Sequence, residues 1–263
     1  MKQFMIAYIK SMRLYYAFVT GIPGWLGLAF YQYLARNFAV GAVVTPFEKR
    51  IMILCLLFIS WGINQIINDY LGLEEDKINA PERPMVTGEL PIKKALAVST
   101  ILLVLSGVII WFYLEPIAII PFLLGIILNV GYEYAKGYGI WGNLTFGLMI
   151  TMCPIFGFLA AGPINPPYFT PSRMSALLLI WVINGLMTFY TYFKDYKGDK
   201  AAGKRTIIVK YGLRKSRIIG IVASFLPTVL FIIIYLNDLI VARISQEFII
   251  LGILTFFLHL LTG

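Results

Sequence analysis

Residues 51–76 read IMILCLLFISWGINQIINDYLGLEED: an apolar run, 51–67, that passes without a break into Asn68, Asp69, Glu74, Glu75 and Asp76. A helix crossing the hydrocarbon of a bilayer needs about 20 mostly apolar residues, so the run predicts a membrane helix with a carboxylate cluster at its mouth. Runs of the same kind recur at 14–35, 95–114, 117–135, 140–161, 174–193, 218–236 and 248–261. The whole chain of 263 residues agrees, being 59% hydrophobic and 13% charged, with mean hydropathy +0.81. Soluble domains are about 25% charged. A soluble globular enzyme, a disordered chain and a disulfide scaffold are therefore excluded. The expected fold is all-α: a polytopic membrane bundle of eight or nine helices. No internal repeat, low-complexity segment or long linker divides it, so 1–263 is read as one domain.

The charges order the bundle. Of the 22 Lys and Arg, 17 fall at the N-terminus or in the loops after the second, fourth and sixth runs. Cytoplasmic loops collect Lys and Arg, so that side, with the N-terminus, is expected in the cytoplasm of an integral plasma- or inner-membrane protein. The same rule accounts for the net charge of +9 without a nucleic-acid partner, and no protein partner is evident. Lys2, Lys10 and Arg13 precede the first run, which lacks a small-residue cleavage site and reads as a retained helix. Arg13 is expected only to help orient it. Cys55 and Cys153 lie in apolar runs and read as buried thiols. His259 is the only histidine, which excludes a histidine-based metal site or triad.

Nine of the 13 acidic residues share the Lys- and Arg-rich side. Acidic residues contribute little to topology, so their clustering calls for another cause. If the second helix continues past residue 67, Asn68, Gly72 and Asp76 form an i, i+4, i+8 stripe, with Glu75 beside it. At the end of the sixth run Asp195 and Asp199 repeat the spacing of four. Two such stripes facing each other suit Mg²⁺, which takes carboxylate oxygens and keeps coordination positions for water and substrate phosphate. Lys77, Arg83, Lys136, Lys204 and Arg205 suit a diphosphate. Either stripe alone reads equally as a helix end with solvated charges; two on one side of the membrane do not. The loop after the fourth run adds Tyr132, Lys136, Gly142 and Asn143, which taken alone fit an interfacial aromatic belt and a snorkelling lysine.

These segments resemble the UbiA superfamily of intramembrane prenyltransferases over nearly the whole chain. Its first motif, N-D-x-x-D-x-x-x-D with a following R-P, is matched by Asn68-Asp69, Gly72, Asp76 and Arg83-Pro84. Its second, D-x-x-D-x-x-x-D with G-x-x-T, is matched by Tyr192, Asp195, Asp199, Gly203 and Thr206. The resemblance implies a ring of nine helices around a central cavity. It also implies a Mg²⁺–diphosphate site of Asn68, Asp76, Asp195 and Asp199, with Glu75 as a further metal ligand, and diphosphate contacts from Arg83, Lys136, Tyr132 and Lys204. Gly72 and Tyr192 stand where the family has Asp. The patterns N-x-x-x-G-x-x-x-D and D-Y-x-x-D, the latter through Tyr196, are similar to UbiA-type terpene cyclases.

The leading expectation is therefore Mg²⁺-dependent ionisation of a polyprenyl diphosphate, with geranylgeranyl diphosphate the best fit, followed by intramolecular cyclisation and release of diphosphate. The alternative is intermolecular prenyl transfer to an aromatic or glycerol-phosphate acceptor. A third reading is a transporter or lipid-binding protein; it is disfavoured because the ionisable residues collect at helix ends and not within the spans.

Overall fold

A computed structural model describes residues 2–38 and 40–239, and beyond them 246, 250, 253, 254 and 257. The eighth predicted run, 248–261, otherwise lies outside the described residues, as does His259. The chain is helical almost throughout. In order come α1 (Lys2–Met12), α2 (Phe18–Asn37), α3 (Phe47–Leu71), α4 (Leu73–Asn79), α5 (Pro84–Thr87), α6 (Ile92–Tyr113) and α7 (Ile119–Ala135). Then follow α8 (Trp141–Leu159), α9 (Pro171–Ala201), α10 (Ile207–Ser224) and α11 (Leu226–Leu236).

Among the described residues six helical stretches are long and apolar enough to cross a bilayer: Phe47–Leu71, Ile92–Tyr113, Pro116–Ala135, Trp141–Leu159, Pro171–Ala201 and Ile207–Leu236. The first predicted run corresponds to α2, which at 20 residues has the length but carries Gly21, Pro23, Gly24, Gly27 and Gln32 within it. Those small residues serve packing. A Cβ on Gly27 would collide with the Pro154 carbonyl, and one on Gly157 with the Gly24 carbonyl. Lipid tails are as apolar as leucine, so membrane helices associate through close backbone approach and interhelical hydrogen bonds. α8 is the inner helix: 72% of its span is buried, against 44% or less for the other five. It packs on α2, α7 and α9. Asn143 Nδ2 donates to the Gly185 carbonyl at 3.2 Å and Trp181 Nε1 to the Leu144 carbonyl at 2.8 Å, tying α8 to α9.

Three features depart from the sequence reading. The helix carrying the first cluster does not run through: α3 ends at Leu71, Gly72 turns the chain (φ −99°, ψ 22°), and α4 restarts at Leu73. Glycine is the residue with the weakest helix propensity apart from proline, and the hydrogen bonds Gly72 N–Asn68 O (2.8 Å) and Asp76 N–Gly72 O (3.0 Å) carry the chain across the bend. The run predicted at 218–236 is the second part of a longer broken helix. Gly212 interrupts α10 at φ 76°, ψ 163°, a conformation essentially confined to glycine. Finally, Cys55 is exposed on the outside of the bundle and Cys153 is half-buried, both free. A membrane helix is apolar on its lipid-facing and inward faces alike, so an apolar run does not separate the two.

The loops at the carboxylate end are stitched together. Tyr138–Gly139 pairs in parallel with Arg205–Thr206, in register Tyr138↔Arg205 and Gly139↔Thr206. Thr206 then caps α10, accepting from Val209 N at 3.3 Å. Asn79 clamps α4 to α9 by donating to the Asp195 carbonyl (3.2 Å) and accepting from Gly198 N (2.9 Å). A side chain on Gly198 would occupy the space of the Asn79 amide.

Candidate active site

These loops and helix ends enclose a cavity of about 270 Å³. Of the residues singled out in the sequence, Asn68, Glu75, Asp76, Arg83, Tyr132, Lys136, Asp195 and Lys204 all line it. Its floor is apolar, made by Val19, Trp61, Phe146 and Met187. Tyr132 and Phe146 meet edge-on, with ring centres 5.3 Å apart. Deeper between α3, α7 and α8 lies a small second pocket walled by Leu56, Ser60, Asn64, Ile126, Met149 and Phe156.

Two ion-pair networks organise the rim. In the first, Arg83 contacts Asp69 at 3.2 Å and pairs more closely with Asp76, while Arg13 pairs with Asp69 from the other side. Burial pushes the Asp76 carboxyl above the usual carboxylate range, with Arg83 pulling it the other way. For Arg83 burial acts downward, but Asp76 and Asp69 outweigh it and hold the guanidinium above its ordinary value. In the second network Lys204 bridges Glu75 and Glu133, the latter at 3.2 Å.

Asp199 is placed differently from the expectation. It is fully buried, does not line the cavity, and pairs with Lys136 at 2.8 Å. One helical turn beyond Asp195, it sits against Lys136, which itself lines the cavity and neutralises it. Tyr192, in the position where the related motif has Asp, is also fully buried, with Lys136 Nζ 5.4 Å from its ring centre. Tyr196, which carried part of the cyclase-like pattern, does not line the cavity; Lys200 lies over its ring at 5.8 Å.

Arg13, Asp69, Asn79 and Glu133 line the cavity and escaped the sequence reading as site residues. Arg13 was expected only to orient the first helix. It adopts a left-handed backbone (φ 47°, ψ 48°) at the turn between α1 and a short 3₁₀ turn, Leu14–Tyr16. A non-glycine residue there costs of order 1 kcal/mol. The buried pair with Asp69, which is 1% exposed, holds it. α1 itself is anchored by Tyr8, whose hydroxyl is 2.8 Å from that of Ser99 on α6. Asp69 was legible as part of the motif but not as the anchor of Arg13, because the two are far apart in sequence. Glu133 and Asn79 are single polar residues whose partners come from α9 and the loop beyond it.

The donor set suits a hard cation. Among the described residues Asn68 Oδ1 and Asp69 Oδ2 are buried without a hydrogen-bond partner, and Asp76 and Asp195 line the same space. Among the described residues no three Asp, Glu, His or Cys side chains form a closed metal cage. Such an open, all-oxygen set fits Mg²⁺, which keeps several positions for water and phosphate oxygens.

Comparison with known proteins agrees with this architecture. The profile of the UbiA prenyltransferase family matches residues 38–262. The digeranylgeranylglyceryl phosphate synthase of Pyrococcus horikoshii is 28% identical over 257 residues, covering 92% of this chain and 86% of that protein. The enzyme of the same name from Sulfurisphaera tokodaii is 30% identical over 239 residues, covering 82% and 79%. Among solved structures, a UbiA homologue from Archaeoglobus fulgidus bound to DMAPP and Mg²⁺ superimposes with TM-score 0.73 at 17% identity, over 97% of this chain and 85% of that one. A structure of digeranylgeranylglyceryl phosphate synthase gives TM-score 0.68 at 22% identity, over 99% and 88%. The matching family is one of prenyltransferases and these relatives are named digeranylgeranylglyceryl phosphate synthase, so terpene cyclisation loses its place as the leading reading to the intermolecular alternative. With the profile covering most of its length and its helices following the same path, the chain belongs to the UbiA prenyltransferase family of integral membrane enzymes.

Proposed function

We propose that the protein transfers a prenyl group, geranylgeranyl by the chemistry of its relatives' product, from a prenyl diphosphate to a hydroxyl of a glycerol-phosphate lipid. The observation that carries this reading is the cavity itself. It has a rim of carboxylates and cations over an aromatic and aliphatic floor, in a chain 28% identical to a digeranylgeranylglyceryl phosphate synthase over 92% of its length.

The roles follow from position. Asn68, Asp76 and Asp195, with Asp69 and Glu75 alongside, would hold Mg²⁺, which when bound neutralises the diphosphate as negative charge builds on it. Arg83 and Lys204 present cations toward the same space, and both already face carboxylates whose attraction keeps their heads over the cavity. Lys136, held by Asp199, adds a third cation, so Asp199 is a positioning residue in this scheme. Donors and cations fixed before the charge develops stabilise it without reorganising.

The prenyl tail lies on the apolar floor, where Trp61, Tyr132 and Phe146 exclude water. The bond between the allylic carbon and the diphosphate oxygen breaks, and the electron pair leaves with diphosphate. The π faces of Tyr132 and Trp61 favour the positive carbon. The acceptor hydroxyl oxygen then forms the ether bond, and its proton passes to the departing diphosphate. The excess of Lys and Arg at this end of the bundle supports a cytoplasmic site, reached by both soluble headgroups, and the absence of a long linker supports one catalytic unit over 1–263.

The test is acceptor dependence. Purified protein with Mg²⁺ and geranylgeranyl diphosphate should release diphosphate slowly alone and rapidly once geranylgeranylglyceryl phosphate is added, with a doubly prenylated ether seen by mass spectrometry. A cyclic C20 hydrocarbon or alcohol formed without acceptor would return the cyclase reading to first place.

A further inference from the structure

At the end of the bundle away from the carboxylates, a groove of about 460 Å³ lies between α2 and α3. α2 begins near the active site and rises about 1.5 Å per residue, so Arg36 on its last turn stands some 25–30 Å away along the bundle. The groove has two zones. Trp25, Leu28, Ile51 and Leu54 make an apolar wall, and Gln32, Arg36, Asn37 and Arg50 surround its mouth.

Among the described residues the two arginines of the polar zone have no carboxylate partner. Arg13 and Arg83 each pair with carboxylates, and Arg173 donates to the carbonyls of Pro167 and Tyr168 at 2.9 and 2.8 Å. Arg36 and Arg50 have no carboxylate within 4.0 Å among the described residues. The Arg50 guanidinium lies over the Phe47 ring at 5.5 Å, and its Nε is buried with no acceptor among the described residues. Gln32 is 8% exposed, and its orientation is dictated by its neighbours. Thr45 Oγ1 donates its proton to the Ala161 carbonyl at 2.7 Å, so it must accept from Gln32 Nε2. Gln32 Oε1 is thereby left as a buried acceptor with no donor among the described residues.

We propose that this groove binds one anionic phospholipid, with its phosphate between Arg36 and Arg50 and an acyl chain along the apolar wall. A phosphodiester supplies the acceptors that both guanidinium groups lack, and a glycerol headgroup supplies hydroxyl donors of the kind Gln32 Oε1 lacks. The apolar wall distinguishes a lipid from free phosphate. Trp25 and Ile51 are 52% and 44% exposed on the outer surface of the bundle, where the hydrocarbon of the bilayer lies. A second copy docking symmetrically would bring arginine against arginine.

The experiment is native mass spectrometry of the detergent-solubilised protein titrated with phosphatidylglycerol or phosphatidylcholine. One phosphatidylglycerol per chain should be retained, and phosphatidylcholine much less. One Lys or Arg at a membrane surface changes anionic-lipid affinity by about fivefold, so Arg36→Gln should weaken retention about fivefold and Arg36→Gln/Arg50→Gln about thirtyfold. Lys93→Gln/Lys94→Gln, which removes equal charge at the other end of the bundle, should leave it unchanged. The single variant changes an exposed residue and keeps the test available should the double variant fold poorly. Unaltered phosphatidylglycerol retention in the arginine variants, equal retention of phosphatidylcholine, or full displacement by millimolar inorganic phosphate would each overturn the proposal.

Discussion

Replacing Lys204 by Met removes the cation that bridges Glu75 and Glu133 and leaves two carboxylates facing the same space. The side chains are 15%, 8% and 12% exposed for Lys204, Glu75 and Glu133. At an effective dielectric constant near 20, unit charges 3.2 Å apart attract by about 5 kcal/mol. Desolvation of the lysine offsets much of that, and measured losses on breaking such a pair are about 3–5 kcal/mol. For a protein of this size that is a drop of roughly 6–20 °C in apparent melting temperature, at about 2–4 °C per kcal/mol. The assay is thermal unfolding in detergent without Mg²⁺. The reasoning makes a second claim about sign: adding Glu133→Gln to Lys204→Met should restore part of the lost stability, because it removes one orphaned charge. Activity separates the structural role from the proposed contact with diphosphate. The stabilised double variant should still turn over about a hundredfold more slowly, the usual cost of one lost charge-stabilising group. Further destabilisation on adding Glu133→Gln would refute the electrostatic account, and full activity in the double variant would remove Lys204 from the diphosphate site.

Asp76→Asn and Asp195→Asn should each abolish diphosphate release while the protein still elutes as a monodisperse species in detergent; retained turnover in both would exclude them as metal ligands. At Gly72 an added Cβ would lie 3.7 and 3.8 Å from the Glu133 and Glu75 carboxylates and 3.2 Å from the Asn68 carbonyl. Gly72→Asp should therefore lower Mg²⁺-free thermal stability and reduce the Mg²⁺ needed for half-maximal activity by at least about fivefold, the effect of roughly 1 kcal/mol from a nearby charge; an unchanged Mg²⁺ titration would mean that position 72 does not face the metal. Gly157→Leu forces a side chain into the Gly24 carbonyl where α8 crosses α2. Overpacking of this kind costs about 1–3 kcal/mol or more, so the yield of monodisperse protein should fall, and a normal yield would show that the two helices can separate.

The local properties of the chain were legible without coordinates. Long apolar runs can be satisfied only by helices in a bilayer, because every backbone polar group must bond within its own segment. Seven of the predicted runs accordingly appear as helices, and the residues expected to gather at one end, Asn68, Asp76, Arg83, Lys136, Asp195 and Lys204, do line one cavity. The lateral arrangement was not legible. Whether Asp199 faces the cavity or is taken up by Lys136, and whether Arg13 serves orientation or anchors Asp69, depends on which helices stand side by side. That is set by backbone contacts such as Gly27 against Pro154 and by the clamp of Asn79 on α9. An apolar stripe carries no mark distinguishing lipid from a neighbouring helix, which is why Cys55 turned out exposed. The sequence by itself determined that this is a membrane bundle with acidic and basic groups at one end, since solvent preference is a property of each residue and its period. Only the tertiary structure decided which charges neutralise one another and which are left facing the cavity or the groove at Arg36 and Arg50, since pairing is a property of two residues and the distance between them.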